Sequence, residues 1–482
     1  MKPKIKFGTD GWRGIIAKDF TFKNIRIVAQ ATAEQFLEDL KNNKNLKNLA
    51  FIGYDRRFLG KEFAECTAKV FSENGLNVSL YLKDVPTPMV SFDVKKNSAV
   101  GGIVITASHN PPEYSGFKIK TSDGCSAEKE YTNKIEERIG EPENRRYGEE
   151  RTGEEGRINL IEPSKDYVNF LKKTFDLESL KKLNDIVIVD SMNGTGNGYL
   201  EDLLSGGSLK VKTIRGEIDV TFGGINPEPM MPQLEPLAKE VLKNNALIGL
   251  ATDGDADRVG AMSEKGDYIS THKILAILLY YLVEKKKLSG GVVVTFSQSV
   301  LVKKMAKHYG LKLYEVPIGF KNIAELMLSN DILIGGEEAN GIGSKLHYMA
   351  DRDGIFNALL LLEAVKSFNL KPSQLIEKLH KEFGAFYYDR IDMHIPSTEV
   401  GISFVEKIKS KPPEEINGIK VKEIKTLDGT KLIFEDESWL LFRASGTEAL
   451  LRIYAEGKSK EFVSSMLLNG KKLFESSLKI AC

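Results

Sequence analysis

The 482-residue chain has few cysteines and no long apolar run, and both scarcities restrict what it can be. Its three cysteines, Cys66, Cys125 and Cys482, are odd in number and widely spaced. They indicate neither a disulfide framework nor a cysteine metal cluster, and they are typical of a reducing compartment. The longest apolar stretch, Ile274–Val283, has about half the residues that a bilayer span needs. It predicts a buried helix.

The chain also lacks an excess of charge of either sign. Its 68 lysines and arginines balance 67 aspartates and glutamates, for a net charge of +1, which provides no general field for a polyanion such as nucleic acid. Any affinity for anions must therefore come from local clusters. The first residues, MKPKIKFGTDGWRG, contain no apolar segment of the kind that a secretory signal needs. We therefore expect a cytoplasmic protein without nucleic-acid or membrane partners.

Strands and helices alternate over most of the chain, which predicts layered α/β units. A chain of this length is expected to divide into domains of roughly 100–200 residues each. From Phe386 onward, short alternating segments precede a closing helix that begins at Lys460, a pattern typical of a small antiparallel α+β domain. The predicted fold is therefore three similar α/β domains with mixed, largely parallel sheets and a smaller C-terminal α+β domain. The predicted boundaries are 1–161, 162–262, 263–384 and 385–482.

Two loops are predicted to be structural. The glycine-rich sequence SMNGTGNG follows the predicted strand Ile186–Asp190 and invites a dinucleotide-binding interpretation, but Tyr199 stands where the third glycine of that motif belongs. The pattern therefore favours an ordinary strand-to-helix turn. Residues 141–157 are strongly charged, contain glycine and show no periodicity, which predicts a surface loop near a domain boundary.

The run Val100–Thr106 predicts a buried strand that ends in the sequence Ala-Ser-His-Asn-Pro-Pro. Two prolines stiffen the loop, and a serine held at the end of a buried strand is well placed for chemistry. Taken alone, however, Ser108 and His109 are more typical of an ordinary polar turn. The case for a functional serine depends on the rest of the chain.

The strongest single signal is the sequence LATDGDADRVG, in which Asp253, Asp255 and Asp257 alternate with small residues. In an extended segment these carboxylates would point to one side and repel one another. A cation explains such a cluster, and an all-oxygen ligand set suits Mg²⁺ or Mn²⁺ rather than zinc. An EF-hand is disfavoured because Arg258 stands where that loop needs glycine. A solvated acidic turn remains the alternative.

Other polar loops are weaker signals. In WLLFRASGTEALLRIYAE, a loop between two predicted strands offers a guanidinium and two hydroxyls that suit a phosphate dianion, although a hairpin with a surface ion pair would look the same. The sequence GEEANG at 336–341 places two carboxylates where they could accept hydrogen bonds from sugar hydroxyls or cap a helix. Gly319 and Lys321 lie at a predicted strand-to-helix turn, and Thr9 and Arg13 lie in the N-terminal glycine loop.

Five of these motifs occur in one order that resembles the α-D-phosphohexomutase superfamily. They are FGTDGWRG, TASHNPPEYSGFK, DGDADR, GEEANG and RASGTEALLR. FGGINPEP (222–229) and VPIGFK (316–321) are also similar to that family, and the pattern GGEE, GIG, H and RDGI over 335–355 most resembles its phosphoglucomutase branch. The resemblance covers all four predicted domains and implies that they are arranged around a central cleft.

The resemblance implies roles for these residues. Ser108 would be the phosphorylated serine, and its phosphate together with Asp253, Asp255 and Asp257 would hold one Mg²⁺ per chain. The residues expected to line the reacting centre are His109, Lys118, Arg258 and Lys321. The substrate would also be bound by Thr9, Arg13, Gly319, Glu337, Ala339, Asn340, His347 and, at its non-reacting phosphate, Arg443, Ser445, Gly446, Thr447 and Arg452.

The implied activity is that of an isomerase that interconverts hexose 1-phosphate and hexose 6-phosphate, with glucose as the expected sugar and glucose 1,6-bisphosphate as intermediate and activator. Phosphomannomutase activity, broad sugar specificity and a non-catalytic sugar-phosphate-binding paralogue are the alternatives. Ala339 replaces a serine that is usual in the family's sugar loop, and Asn340 could compensate for the lost hydroxyl. Lys118 and His347 are both candidates for proton transfer. The chain is expected to be a monomer or a homodimer.

Overall fold

The computed structural model describes residues 5–8, 10–139, 154–446 and 449–479. In this part of the chain the strands form four sheets, one per predicted domain. Three sheets combine parallel and antiparallel pairs, and the last is antiparallel throughout. The predicted fold class is thereby confirmed. Most of the surface loop predicted at 141–157 lies outside the described residues.

The first unit is a six-stranded sheet in the order β1-β5-β4-β2-β3-β6. Its strands are β1 (Trp12–Ile15), β2 (Lys47–Tyr54), β3 (Val78–Tyr81), β4 (Ala99–Ile105), β5 (Tyr114–Thr121) and β6 (Ile158–Ile161). Its helices are α1 (Phe22–Asn42), α2 (Gly60–Glu73), α3 (Thr87–Lys96) and α4 (Lys129–Ile139). Strands β4, β2, β3 and β6 are parallel, whereas β5 returns antiparallel beside β4.

The second unit is a five-stranded sheet in the order β11-β10-β9-β7-β8. Its elements are α5 (Lys165–Thr174), α6 (Leu177–Lys181), β7 (Ile186–Asp190), α7 (Tyr199–Leu204), β8 (Lys210–Ile214), α8 (Glu235–Lys243), β9 (Ile248–Thr252), β10 (Val259–Ser263) and β11 (Tyr268–Ile269). Strand β10 returns antiparallel beside β9. Because β11 pairs with β10, this sheet extends beyond residue 262; the four predicted boundaries stay predictions.

The third unit is a four-stranded sheet in the order β13-β12-β14-β15. Its elements are α9 (Thr271–Glu284), β12 (Gly291–Thr295), α10 (Val300–His308), β13 (Leu313–Val316), α11 (Phe320–Ser329), β14 (Ile332–Gly336), β15 (Ile342–Ser344), α12 (Gly354–Phe368) and α13 (Pro372–Phe383). The run Ile274–Val283 lies in α9 and is almost entirely buried, as predicted. Among the described residues, no helix has the length and apolar character to cross a membrane.

The fourth unit is a six-stranded antiparallel sheet in the order β16-β21-β20-β19-β18-β17. Its elements are β16 (Tyr387–His394), α14 (Thr398–Ser410), β17 (Glu415–Ile416), β18 (Ile419–Lys425), β19 (Thr430–Phe434), β20 (Trp439–Ala444), β21 (Leu450–Gly457) and α15 (Lys460–Lys479). The sheet has its own apolar core, which includes Phe404, Phe442 and Met466.

One apolar core is shared by the first three units. It contains Val90 of the first unit's helix α3, Leu250 of the second sheet and nearly all of α9 and α12. Helix α12 is apolar on every side because it packs against both the third unit and the sheet of the second. Asp353 caps this helix by accepting a hydrogen bond from the Phe356 N–H at 2.8 Å. The shared core therefore fixes the relative positions of the loops described next.

Candidate active site

Ser108 lies on the loop that joins β4 to the antiparallel strand β5. Its backbone has φ of 54°, in the left-handed region that non-glycine residues seldom adopt. Thr106 supports this conformation because its hydroxyl oxygen accepts the Ser108 N–H at 2.8 Å. Strained residues of this kind occur where the surrounding structure holds them, often at functional sites. The buried serine is thus held in one orientation.

Arg57 holds the serine loop through the backbone of that loop. Its guanidinium donates hydrogen bonds to four backbone carbonyl oxygens, those of Ser108, Asn110, Pro111 and Tyr114, at 2.7–2.9 Å. Asp55 accepts a further bond from Arg57 Nε at 3.1 Å, and both side chains are fully buried. Burial raises the pKa of Asp55 to about 6, although Arg57 acts in the opposite direction.

The three aspartates lie on the loop that joins β9 to the antiparallel strand β10. The prediction of an extended segment is wrong here, because residues 253–258 form a turn in which Ala256 has φ of 58°. The carboxylates converge nevertheless, with one oxygen of each within 4.8 Å of the others. Asp253 Oδ2 accepts a hydrogen bond from the Ser108 hydroxyl at 2.7 Å. The turn thus brings the triad to the serine.

The triad fits a hard divalent cation. Among the described residues, Asp255 Oδ1 and Asp257 Oδ1 are buried and have no hydrogen-bond partner, which is costly for carboxylate oxygens unless a ligand satisfies them. Burial, followed by the charges of Asp255 and Asp257, raises the pKa of Asp253 well above its usual value. A cation would relieve this repulsion, and carboxylate and hydroxyl oxygens are the ligands that Mg²⁺ prefers.

Lys118 lies against the other side of the triad. Its Nζ is 2.7 Å from Asp255 Oδ2, 2.8 Å from Asp257 Oδ2 and 2.8 Å from Asp10 Oδ2. Burial lowers the pKa of Lys118, but Asp10, Asp255 and Asp257 outweigh it, so the net shift is upward. The amine is therefore held as a cation, which suits charge stabilisation better than proton abstraction.

His109 lies beside the serine, with Nδ1 3.4 Å from Ser108 Oγ. Burial, followed by the charges of Arg258, Arg13 and Lys118, holds the pKa of His109 well below its usual value. The imidazole is thus neutral. Arg13 donates to the Asn110 side chain, and Arg258 Nη1 lies 3.3 Å from Glu228. The charges of Arg258, Arg13 and Lys118 thus act on the ring beside the serine, and cationic side chains of this kind suit a phosphate group. Thr9 lies outside the described residues.

The GEEANG sequence forms the loop between β14 and the antiparallel strand β15. The buried Glu337 carboxylate is 3.3 Å from Arg352 Nη1, and burial raises the pKa of Glu337. Asn340 has φ of 68°, accepts a hydrogen bond from the Thr271 hydroxyl and donates to the Pro229 carbonyl oxygen at 2.7 Å. Both ends of the Asn340 amide thus bond within the protein, and compensation by Asn340 for the hydroxyl that Ala339 lacks stays a prediction.

Arg443 and Arg452 face each other on the neighbouring strands β20 and β21. The prediction that Arg443 belongs to the loop is wrong, because β20 extends through Ala444 and Arg443 lies on the strand. Like charges directly opposite each other are destabilising, and each arginine has a carboxylate neighbour, Asp428 at 2.9 Å and Asp392 at 3.6 Å. Ser445 and Gly446 begin the connecting loop, whose Thr447 lies outside the described residues. The pair is suited to a phosphate dianion.

Comparison with known proteins identifies this arrangement. Four family models match the chain in order, described as phosphoglucomutase/phosphomannomutase alpha/beta/alpha domain I at residues 4–146, domain II at 165–266, domain III at 270–383 and the C-terminal domain at 402–466. A Thermococcus kodakarensis protein described as phosphoglucomutase/phosphomannomutase is 33% identical and aligns over 98% of this chain and 99% of its own. The chain belongs to the phosphoglucomutase/phosphomannomutase family.

Further relatives within this family carry different sugar names. A Sulfurisphaera tokodaii phosphoglucosamine/phosphogalactosamine mutase is 31% identical over 97% of this chain and 99% of its own. A solved structure described as "putative phosphomannomutase" from Thermus thermophilus has a TM-score of 0.85 and 33% identity, covering 98% of this chain and 100% of its own. The prediction of a phosphohexomutase of the isomerase class is confirmed, whereas the sugar stays a prediction.

Three further residues expected from the family resemblance are Lys321, Gly319 and His347. Lys321 lines a surface cavity of about 340 Å³ together with Asp39, Glu128 and Tyr131 of the first unit, and Gly319 precedes it at the start of α11. His347 bonds internally, with Nε2 3.0 Å from Asp353 and Nδ1 3.1 Å from the Met349 carbonyl oxygen. These contacts favour a structural role for His347 over proton transfer.

Several residues of the site were missed from the sequence. Asp10 accepts bonds from Lys118 and Arg352, and Arg352 also lies 2.8 Å from Asp257. The Thr87 hydroxyl donates to Asp255 at 2.6 Å. Asp10 and Arg352 stand inside the motifs FGTDGWRG and RDGI, so the signal was present there. Thr87 and Arg57 stand in no such motif, and only the fold brings them to the site.

Proposed function

We propose that this chain is a Mg²⁺-dependent phosphohexomutase that interconverts glucose 1-phosphate and glucose 6-phosphate. The observation that supports this best is the Ser108 hydroxyl, held 2.7 Å from the buried aspartate triad. A separate arginine pair, Arg443 and Arg452, could hold a second phosphate. A simple phosphatase has no need of that second anion site. A mutase needs it, because its substrate carries one reacting and one non-reacting phosphate.

The residues divide the work of phosphoryl transfer between them. Phosphorylated Ser108 and the three aspartates would hold the Mg²⁺, which supplies Lewis-acid stabilisation of the phosphate. Lys118, Arg258 and Arg352 surround this position and would stabilise the charge on the transferring group. Glu337 would accept hydrogen bonds from the sugar hydroxyls.

The proposed cycle runs through a bisphosphate. The free hydroxyl oxygen of the hexose phosphate forms a bond to the phosphorus on Ser108, the bond from phosphorus to the serine oxygen breaks, and the hydroxyl proton goes to that serine oxygen. The resulting 1,6-bisphosphate turns around within the cleft, and its other phosphoryl group passes to the Ser108 oxygen while the serine proton goes to the sugar oxygen that is freed. When the bisphosphate turns around, the phosphate at the triad and the phosphate at Arg443 and Arg452 change places. Water must be kept out during this exchange, because hydrolysis of the phosphoserine would end the cycle.

Glucosamine 1-phosphate is a second candidate substrate. The Sulfurisphaera tokodaii relative carries that activity in its name, and Ala339 supplies no side-chain hydroxyl in the sugar loop. Phosphomannomutase activity and broad sugar specificity also lie within the class. A non-catalytic sugar-phosphate-binding paralogue is disfavoured, since a binding protein has no need of the buried triad beside Ser108.

A substrate panel tests the proposal. Glucose, mannose and glucosamine 1-phosphates are supplied with Mg²⁺ and a trace of glucose 1,6-bisphosphate, and formation of each 6-phosphate is followed. We expect glucose 1-phosphate to be turned over fastest, and Ser108→Ala to abolish turnover because the phosphate carrier is lost. Ser410→Ala, at an exposed serine that ends α14, is the matched control and should retain full activity. Normal turnover by Ser108→Ala would contradict the mechanism, and net phosphate release would indicate a phosphatase.

A further inference from the structure

The sugar loop (residues 336–341) belongs to the third unit, and the arginine pair, Arg443 and Arg452, belongs to the fourth. A row of charged side chains connects them. We define the charge row as Glu338, Arg390, Asp392 and Arg452. Glu338 follows Glu337 in the sugar loop, Arg390 and Asp392 lie on β16, and Arg452 lies on β21 opposite Arg443. Arg390 and Asp392 belong to none of the family motifs.

Three ion pairs form the charge row. Arg390 Nη1 lies 2.5 Å from Glu338 Oε1, and Arg390 Nε lies 2.9 Å from Asp392 Oδ1. Asp392 Oδ2 then lies 3.6 Å from Arg452 Nε. Signs alternate along the whole row, so each charge supports the position of the next. Arg390 is the central member because one guanidinium bridges two carboxylates from different units.

The surroundings make these contacts stronger than ordinary surface pairs. The Glu338 side chain is only 5% exposed and the Arg390 side chain 24%, so the pair is partly shielded from water and salt. Residues 388, 390 and 392 share one face of β16 because side chains alternate along a strand. Asp392 is also the direct register partner of Arg452 across β16 and β21. The strand itself therefore fixes the spacing of the row.

We propose that Arg390 is a positioning residue that fixes the distance between the sugar loop and the phosphate-holding arginines. The inference rests on the proposed function, since a hexose phosphate bound at both places must span a constant length in both of its orientations. Glu338 anchors the row to the third unit and does not read the sugar. Arg452 receives its orientation through Asp392.

Double-variant kinetics test this inference. Glu338→Gln removes the anchor at a residue that has no ion pair with Arg452. We expect Glu338→Gln to raise the KM for glucose 1-phosphate about tenfold in the otherwise unaltered chain. In a chain that already carries Arg452→Gln, the same change should raise the KM less than twofold, because the effects of coupled sites are non-additive. The kcat should change less than twofold in Glu338→Gln, because the triad is untouched. Glu406→Gln, at an exposed ion pair of α14, is the matched control and should change neither constant.

Arg390→Lys separates charge from bridging. A lysine keeps the positive charge but offers no planar fork to two carboxylates, so we expect the KM in Arg390→Lys to rise nearly as much as in Arg390→Gln. An unchanged KM in Arg390→Lys would overturn the inference. So would an equal rise in KM on Glu338→Gln in the unaltered chain and in the Arg452→Gln chain. The same cycle measured as Kd for glucose 1-phosphate by calorimetry tests the row without turnover. If the unaltered chain turns over substrate but the effects of Glu338→Gln and Arg452→Gln are additive, only the role proposed for the charge row is wrong. If the unaltered chain shows no turnover, the proposed function is wrong.

Discussion

At the scale of single residues, the site depends on side chains that hold backbone rather than substrate. Arg57 shows this most clearly, because its guanidinium joins the carbonyl oxygens on both sides of the serine loop. Removing it would leave those oxygens and the Asp55 carboxylate buried without their partner. The conformation of Ser108, with φ of 54°, would then lose its support.

Arg57→Ala should destabilise the chain strongly. Removing one partner of a buried ion pair costs about 3–5 kcal/mol, so we expect the free energy of unfolding, measured by urea denaturation, to fall by about that amount. Arg57→Lys retains a charge for Asp55 but cannot reach four carbonyl oxygens at once. We expect it to fold and to lose most of its turnover. If Arg57→Lys were as active as the unaltered chain, the role assigned to this guanidinium would be wrong.

At the scale of elements, three loops of the same kind and one hairpin of the antiparallel fourth sheet carry the site. In each of the first three units a parallel strand is followed by an antiparallel return, β4 to β5, β9 to β10 and β14 to β15. Ser108, the aspartate triad and Glu337 lie on these three connections, and the fourth unit adds the β20–β21 connection. Glycines let the loops approach closely, since a Cβ on Gly254 would lie 2.6 Å from the Ser108 carbonyl oxygen.

Gly254→Ala tests this close approach. The added methyl group meets backbone, which cannot turn aside as a flexible side chain could, so the triad should move away from Ser108. A displacement of about 1 Å in a catalytic group can cost about 100-fold in rate, and we expect a loss of that order in kcat. Circular dichroism should show retained secondary structure. Full activity in Gly254→Ala would show that the two loops do not need this contact.

At the scale of the whole molecule, the units are joined by buried polar contacts as well as by the shared apolar core. The first residue of α12 donates its N–H to the Ala256 carbonyl oxygen of the triad loop at 2.9 Å. Lys120 of the first unit pairs with Asp351 of the third at 2.6 Å, and both are buried. Between the third and fourth units, the buried His272 ring lies 4.1 Å from the Tyr388 ring, edge to face.

His272 makes stability depend on pH in a direction that can be checked. Burial, with smaller effects of Lys431 and Lys273 in the same direction, lowers the pKa of His272 to about 3. An imidazole in the unfolded chain has a pKa of about 6.5. Between these values the unfolded state binds more protons, so the contribution of His272 to stability falls as the pH falls. From about pH 6.5 to about pH 5 this amounts to about 1.5 kcal/mol.

His272→Phe keeps an aromatic ring beside Tyr388 and removes the titrating group. The difference in unfolding free energy between about pH 6.5 and about pH 5, measured by urea denaturation of the full chain, should therefore be about 1.5 kcal/mol smaller in this variant. Other titrating groups contribute equally to both proteins and cancel in the comparison. An identical pH dependence in the two proteins would contradict the assignment.

Local patterns in the sequence were sufficient for the α/β character of the first three units and the antiparallel character of the last. They also indicated the triad, whereas the roles of the serine loop and the arginine pair followed from the resemblance to a known family. Hydrophobic periodicity and turn residues are properties of neighbouring positions, so they can be read without the fold. The sequence likewise identified Asn340 as a substitution of interest, but it could not show that the amide is used by Thr271 and Pro229.

Tertiary structure decided which distant residues meet. Arg57 reaches the serine loop, Thr87 reaches Asp255 at a sequence separation of 168 residues, and Glu338 reaches Arg390 in another unit. It also placed Lys321 in a cavity with Asp39 and Tyr131 and His347 beside Asp353, while the roles that family resemblance assigns to both residues stay predictions. A short motif records the chemistry of its own residues, whereas its partners are set by how the shared core packs the units together. The sequence by itself therefore determined the chemistry of the site, and only packing determined its geometry.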